Sequence, residues 1–365
     1  MSAVGIIFAN LHERNIPELT RIRAMASVPF GGRYRLIDFP LADMVNAGIT
    51  DIRVITQAHY SSLMDHIGSG KDWDLARRSG GIKILPPNIN EQSGGVLVPA
   101  SRLESLKNIS VALDRIKSDY VVLSDCDVIC NPDIGKLLQR HAQSGAKITM
   151  LVRRTEFRGA VQDKTSLVDF DEQGRITGVQ VNPIYVTGER YRDLNIWVVN
   201  TEFLQYVVRE AIARGYDSFN RDVISRYCTK YDFRAVEFDG FFACITTFSD
   251  YYMHSMDLLE SAEVRDALFG VKDRPVYTKL HNSAPAYYAP DAIVKNSIIA
   301  DGCQIEGVVE NSVLFRGVKV GPESVVRNCV LFQNTVVGRE CFLSCIVSDK
   351  NAIIGNEQLL AGHPS

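Results

Sequence analysis

A chain of 365 residues is long enough for two or three domains, since a single hydrophobic core stops growing efficiently beyond roughly 250 residues. Its 40 basic and 43 acidic side chains are spread along the sequence and leave a net charge of -3, so no polybasic field marks nucleic acid or an anionic membrane as a partner. No apolar run approaches the ~20 residues of a membrane span, and "MSAVGIIFAN" has too short an apolar core and no basic leader for a signal peptide; a cytosolic protein that meets small ligands and other proteins is expected.

The first run, Val4 to Ala9, is apolar throughout and reads as a buried strand, yet Asn10, Leu11, His12, Glu13, Arg14 and Asn15 follow it where a nucleotide-binding protein would place glycines. Further on, "DIRVITQ" (51–57), "DYVVLSDCDVI" (119–129) and "KITMLVRR" (147–154) are strands rich in β-branched residues. Between and after them, "LESLKNISVALDRIK" (103–117) and "IGKLLQRHAQSG" (134–145) carry helical periodicity, the second closed by Gly145 as a C-cap. "SLVDFDEQGRITGVQVN" predicts a hairpin turning at Glu172, Gln173 and Gly174, followed by a strand in "NIWVVN" and a helix in "FLQYVVREAIARG". The pattern to about residue 250 is that of a mixed sheet with helices on both sides.

A helical stretch (249–270) and the proline-dotted connector "DRPVYTKLHNSAPAYYAP" come next, and then the period changes to six. Aliphatics recur at Ile293, Ile299 and Ile305; at Val308, Leu314, Val320 and Val326; at Val325, Leu331, Val337 and Leu343; and at Val347 and Ile353, with glycines between sets. A six-residue repeat of branched apolar side chains is the mark of a parallel β-helix, whose open ends need covering by oligomer contacts. The expected units are 1–250 (α/β), 251–289 (helix and linker) and 290–358 (β-helix). Among eight cysteines, Cys126/Cys130 and Cys341/Cys345 share a C-x3-C spacing, but without a second pair or a histidine at ligand spacing they read as reduced thiols, not a zinc site.

"VPFGGRYRLIDFPLADMVNAGI", then "HIGSGKDWD", then "GGIKILPPN", followed by a hexapeptide β-helix, closely resembles the glucose-1-phosphate adenylyltransferase (ADP-glucose pyrophosphorylase) family over nearly the whole chain. The resemblance implies a Rossmann-like nucleotidyltransferase domain and a left-handed β-helix. It also implies an activity, the joining of ATP and glucose 1-phosphate into ADP-glucose and pyrophosphate with magnesium, on the route to glycogen or starch.

The chemical positions depart from that pattern. The catalytic loop A-G-G-x-G-[ST]-R-L, continued to R-A-K-P, falls on Ala9 onward. Its glycines meet Asn10, Leu11 and Glu13, its arginine meets Asn15, and its last lysine meets Met25. Glycines let backbone N–H groups approach a triphosphate; leucine adds bulk and glutamate adds repulsion. The S-G-D-H aspartate that helps hold magnesium falls on Cys126, with Asp125 or Asp127 able to serve after a one-residue slip. The sugar-phosphate lysine falls on Asn182, and the second metal aspartate on Cys244, a poor partner for magnesium. Nucleotidyl transfer rests on positioning and charge neutralisation, so these losses remove the catalytic terms themselves.

The resemblance is therefore to the non-catalytic, regulatory-type branch of the family. It implies no resident cofactor, a catalytic paralogue as partner in a heterotetramer, and a phosphorylated metabolite as effector. Arg33 follows F-G-G where the family binds phosphorylated regulators, with Arg35 beside it, and Arg21 and Arg23 can join if the intervening loop folds back, each offering a planar fork suited to phosphate; a solvated basic surface is the plain alternative. Two other readings stand open: a nucleotidyltransferase that has rebuilt its site around Asp125 or Asp127, and a stand-alone sugar-phosphate sensor.

Overall fold

A strand that is apolar on both faces has to lie where both faces are covered. The computed structural model, which describes residues 1–11, 13–57, 59–86, 101–161 and 165–363, places β1 (Ala3–Phe8) in the middle of the main sheet. His12 and the last residues of the "GGIKILPPN" motif lie outside the described residues. β1 pairs in parallel with β2 (Asp51–Ile55) and with β4 (Tyr120–Asp125), and β3 (Gly81–Leu85) extends the sheet beyond β2. Past β4 the sheet turns antiparallel through β8 (Tyr185–Asn200), which borders both β5 (Ile148–Ala160) and the predicted hairpin, β6 (Ser166–Phe170) and β7 (Ile176–Val181). β9 (Phe233–Glu237) closes the far side against β5.

The two-residue period of β1 divides the interior. Ile7 and Ala9 face a core shared with α1 (Asp38–Asn46) and α3 (Ile134–Ser144), while Val4, Ile6 and Phe8 face a second core shared with α2 (Arg102–Asn108) and α4 (Thr201–Arg214). Helix starts follow local chemistry: the Ser101 hydroxyl accepts from Glu104 N at the head of α2, and Asp133 accepts from Lys136 N at the head of α3. Gly145 ends α3 at φ +69, as expected for a left-handed C-cap. The stretch read as one helix from 103 to 117 is two, broken between Asn108 and Ser110. The strand read over 147–154 runs on to Ala160.

Beyond α5 (Phe248–Glu260) and α6 (Ala262–Phe269), strands of two or three residues stack in three parallel sheets and form the left-handed β-helix. The coil is shorter than three even hexapeptides. Val325 pairs with Phe342 and Phe342 with Leu359, a step of 17 residues, whereas Ile293 pairs with Val308, a step of 15. The contraction shifts the inward column: Val309 and Val326 are buried where Val308 and Val325 are only partly so, and Ile293 and Ile353 point to solvent. Corners are turned by residues at positive φ, Asn296, Asn311 and Asn328 among them, with the Asn296 amide donating to Asn311 Oδ1 at 2.9 Å.

One flank of the solenoid is covered by the chain itself. Val313, Phe315, Val330 and Phe332 belong to the same core as α1 and α5, with the Phe332 and Tyr251 rings 6.0 Å apart. The Tyr251 hydroxyl donates to Pro29 O at 2.7 Å. In the connector, the Thr278 hydroxyl donates to the buried Asp38 at 2.6 Å.

Candidate functional site

The C-terminal ends of β1 and β4 point at one mouth, the customary place for a ligand in an open α/β sheet. There the chain turns at Asn10 and Leu11. Asn10 is buried, and its carboxamide oxygen accepts from Gln57 N at 2.9 Å and from the Thr56 hydroxyl at 3.0 Å, while its nitrogen donates to Glu13 at 2.5 Å. Leu11 packs into the core with Phe8, Ile55 and Leu103. Met25 is fully buried, Ala26 N donates to Ala9 O at 3.0 Å, and Asn15 is exposed. Burial lifts the Glu13 carboxyl to about 7 against the opposing hydrogen bond from Asn10 and the charge of Arg14. Buried side chains, Asn10, Leu11 and Met25, thus pack the turn that follows β1.

A cavity of about 140 Å³ opens beside this turn, lined by Leu11, Arg102, Asp125, Ser166, Asn182 and Asn220 among others. Asn182, at φ +49, donates its backbone N–H to Thr165 O and is exposed. Asp125 is fully buried, and both of its oxygens are taken by one arginine: Arg102 Nε donates to Oδ1 at 2.8 Å and Nη2 to Oδ2 at 2.7 Å. The guanidinium lies 5.1 Å from the Trp197 ring centroid. Trp197 Nε1 donates to Asp193 at 2.8 Å, at a shift in register of β8 around Asn195, which is held at φ +62. Such bulges re-aim side chains next to functional sites. Asp127, just past the end of β4, is fully buried, its carbonyl accepting from Ile245 N.

A magnesium ion needs hard oxygen ligands with open lone pairs. Asp125 offers both of its oxygens to Arg102. Cys126 is buried, its thiol donating to Ala9 O at 3.4 Å, and burial next to Asp127 and Asp125 pushes that thiol well above its usual range. Cys244 sits opposite Val128 in a separate two-stranded sheet and does not line the cavity. Among the described residues, no group of three or more His, Cys, Asp or Glu side chains is arranged to hold a metal ion. Asp125, Cys126 and Cys244 do not fit the magnesium that the resemblance implies for the catalytic members of the family.

The sequence reading missed Arg102, Trp197 as its stacking plate, and Asp193. A run of "SRLESLK" looks like any capped helix start; only the fold brings Arg102 to the end of β4.

The second cluster of interest lies where the α/β unit meets the β-helix. Arg23, from the turn after residues 17–20, is 2% exposed; it donates to Leu19 O at 3.1 Å and pairs with Asp349 of the β-helix at 2.5 Å. Arg35 donates to Ser62 O at 2.5 Å, and burial, reinforced by Arg23 and Arg316, lowers it to about 10 in spite of Asp38. Arg33 is exposed and lies 5.6 Å from the Tyr34 ring centroid. Lys350 is lowered to about 8, by burial first and then by Arg35 and Arg23. Arg316 is lowered by burial and by Arg33. The fold thus brings Arg23, Arg33 and Arg35 into one neighbourhood and adds Arg316 and Lys350, which came from a part of the chain read only for its apolar columns.

Residues 14–261 match the Nucleotidyl transferase family, and residues 286–363 match the family described as GlmU-like, C-terminal hexapeptide. Among curated proteins, the chain is 30% identical over 322 residues to the glycogen biosynthesis protein GlgD of Bacillus subtilis (strain 168), covering 87% of this chain and 80% of that one. It is 33% identical over 321 residues to GlgD of Geobacillus stearothermophilus, covering 87% and 81%. It is 30% identical over 325 residues to the glucose-1-phosphate adenylyltransferase of Halalkalibacterium halodurans, covering 88% and 83%. Sheet, β-helix and the length of these matches together establish that the chain belongs to the glucose-1-phosphate adenylyltransferase family, with its GlgD members among its relatives.

Proposed function

We propose that this protein is a non-catalytic, regulatory-type subunit that acts in the cytoplasm on a catalytic paralogue making ADP-glucose from ATP and glucose 1-phosphate for glycogen synthesis. The observation that carries the reading is the filled loop: Asn10 bonded to Thr56 and Gln57, Leu11 in the core and Glu13 half-buried, in the place of a triphosphate cradle. An anion entering there meets bulk and like charge instead of donors. The sugar-phosphate position is a neutral asparagine, Asn182, which leaves a phosphate without a point charge.

The junction favours regulation over a simple loss of function. Arg23, Arg33, Arg35, Arg316 and Lys350 form a cationic neighbourhood suited to a phosphorylated metabolite, and it joins the α/β unit to the β-helix. An effector bound between two units changes their relation, and by linkage any partner sensing that relation changes its own affinity. The exposed aliphatics of the last coil, Ile353 and Leu359, support hetero-oligomer contacts through the solenoid, a heterotetramer being the assembly proposed.

The experiment is ADP-glucose synthesis by this chain alone, by a catalytic paralogue alone and by the two mixed. The expected result is negligible turnover alone and an altered effector response of the partner when mixed, the response shifting again with Arg33→Ala while assembly holds. Turnover of the isolated chain at ordinary enzyme rates, about 1 to 1000 per second, would overturn the reading.

A further inference from the structure

We infer that Arg102 is the permanent cation of the degenerate site: its guanidinium occupies the seat of a divalent metal beside Asp125 and keeps the site closed to such ions. This inference goes beyond the regulatory reading and does not depend on any partner. It rests on the side chains around one carboxylate.

Asp125 ends β4, next to β1, and is the residue that a shifted reading of the sequence assigns to magnesium. In the structure the carboxylate is fully buried and engaged fork to fork, at 2.8 and 2.7 Å, so each oxygen commits a lone pair to the same planar donor. A magnesium ion would have to bind an oxygen at about 2.0–2.1 Å and keep near-ideal octahedral geometry. Any approach to the lone pairs that remain brings it within contact range of the guanidinium, whose like charge repels it.

Arg102 is held too firmly to be a swinging surface arginine. It is the first residue of α2, directly after the Ser101 cap, which is itself anchored because its hydroxyl donates to Asp217 O. Its side chain is 12% exposed and lies against Trp197, whose indole nitrogen is fixed by Asp193. Burial opposes the charge, but Asp125, with Asp193 and Asp127 behind it, leaves the group above the ordinary arginine value. One buried cation thus sits in the negative field of three carboxylates, the electrostatic position of a resident metal ion in such a site.

The test uses manganese as the probe on the full chain, read by paramagnetic broadening. The protein has 2 tryptophans, so Trp197 and Trp73 give two indole N–H resonances, and Trp73→Phe assigns them. In the wild type, millimolar manganese is expected to leave the Trp197 resonance no more broadened than that of Trp73. In Arg102→Gln, which removes the charge, Trp197 is expected to broaden selectively with at least tenfold tighter manganese affinity, and Asp125→Asn added to that variant abolishes the effect.

Selective broadening of Trp197 in the wild type overturns the inference. So does a folded Arg102→Gln protein that gains no manganese. Arg102→Gln leaves Asp125 unpaired in the interior, and the variant can fail to fold; folding restored by manganese supports the inference, because the ion then stabilises only the state that binds it. A variant that manganese cannot restore overturns it, since the seat would then accept no ion.

Discussion

Glu13 is the residue at which burial and charge meet in the turn after β1. Its carboxylate accepts from Asn10 in a half-buried corner, and its backbone carbonyl accepts from the Thr20 hydroxyl at 2.7 Å. Burial raises it from 4.5 to about 7. The folded chain therefore holds this proton more tightly than the unfolded chain does; the resulting stability is full below pH 4.5 and is lost as pH rises through about 7. Glu13→Gln keeps an oxygen for Asn10 and removes the charge. Its melting temperature is expected to match the wild type near pH 4 and to exceed it above pH 7, by a difference worth about 1 kcal/mol once solvent screening of a half-buried group is allowed for. A gain equal at both pH values would mean that packing, not charge, sets the cost. The sequence flagged Glu13 as a repulsive intruder in a phosphate loop, a reading that needed only residue type. That Asn10 would turn inward to hold it needed Thr56, just past the end of β2 and 46 residues away, and had no local signal.

The β-helix is the element whose periodicity spoke most clearly and whose register spoke least. Six-residue spacing of aliphatics marked a parallel solenoid because no other arrangement buries one branched side chain per flat face. The columns nonetheless slip, since coils of 15 and 17 residues take fewer residues at a corner than three full hexapeptides supply. Where a residue is dropped, the adjacent valine becomes the inward one, and the pairs Val308/Val309 and Val325/Val326 are alike as letters. Leu314 and Val320 were placed correctly, being separated by an unbroken hexapeptide, and both are buried in the solenoid core. Val320→Asp is expected to cost on the order of 4 kcal/mol, because an unpaired charge enters an apolar column. Ile353→Asp, at a position 81% exposed, is expected to stay within about 0.5 kcal/mol. Urea unfolding of the two variants separates the cases, and a comparable loss from both would mean that the exposed coil carries stability that its surroundings do not explain.

At the scale of the whole molecule, the junction joins chemistry from positions 326 residues apart, Arg23 and Asp349. The N-terminal arginines were legible because they crowd one short stretch after a recognisable F-G-G; Arg316 and Lys350 were not, because each is a lone cation in a segment dominated by apolar columns. Around Asp349 the fold gathers Arg23, Arg35 and Lys350, more positive charge than one carboxylate answers. The cost falls on Lys350, which is lowered from 10.5 to about 8 by burial and by the two arginines, against the pull of Asp349. Its protonated form is disfavoured in the fold. The chain is therefore least stable with respect to this group below about pH 8, and it recovers as pH rises from about 8 to 10.5, where the unfolded chain binds more protons than the folded one. A bound phosphate reverses the sign of the local field, raises Lys350 again and takes up a proton in that window. Inorganic phosphate is thus expected to raise the melting temperature at pH 7 beyond chloride at matched ionic strength, and to lose that advantage above about pH 9. Asp349 is the phosphate's internal rival for Arg23. Asp349→Asn should tighten phosphate binding several-fold, while Lys350→Met should weaken it and flatten its pH dependence. If phosphate and chloride act alike at every pH, the excess charge is a property of the domain junction alone. If phosphate acts but Asp349→Asn leaves its affinity unchanged, the anion sits on Arg33 and Arg316 at the outer edge and leaves the Arg23 pair intact.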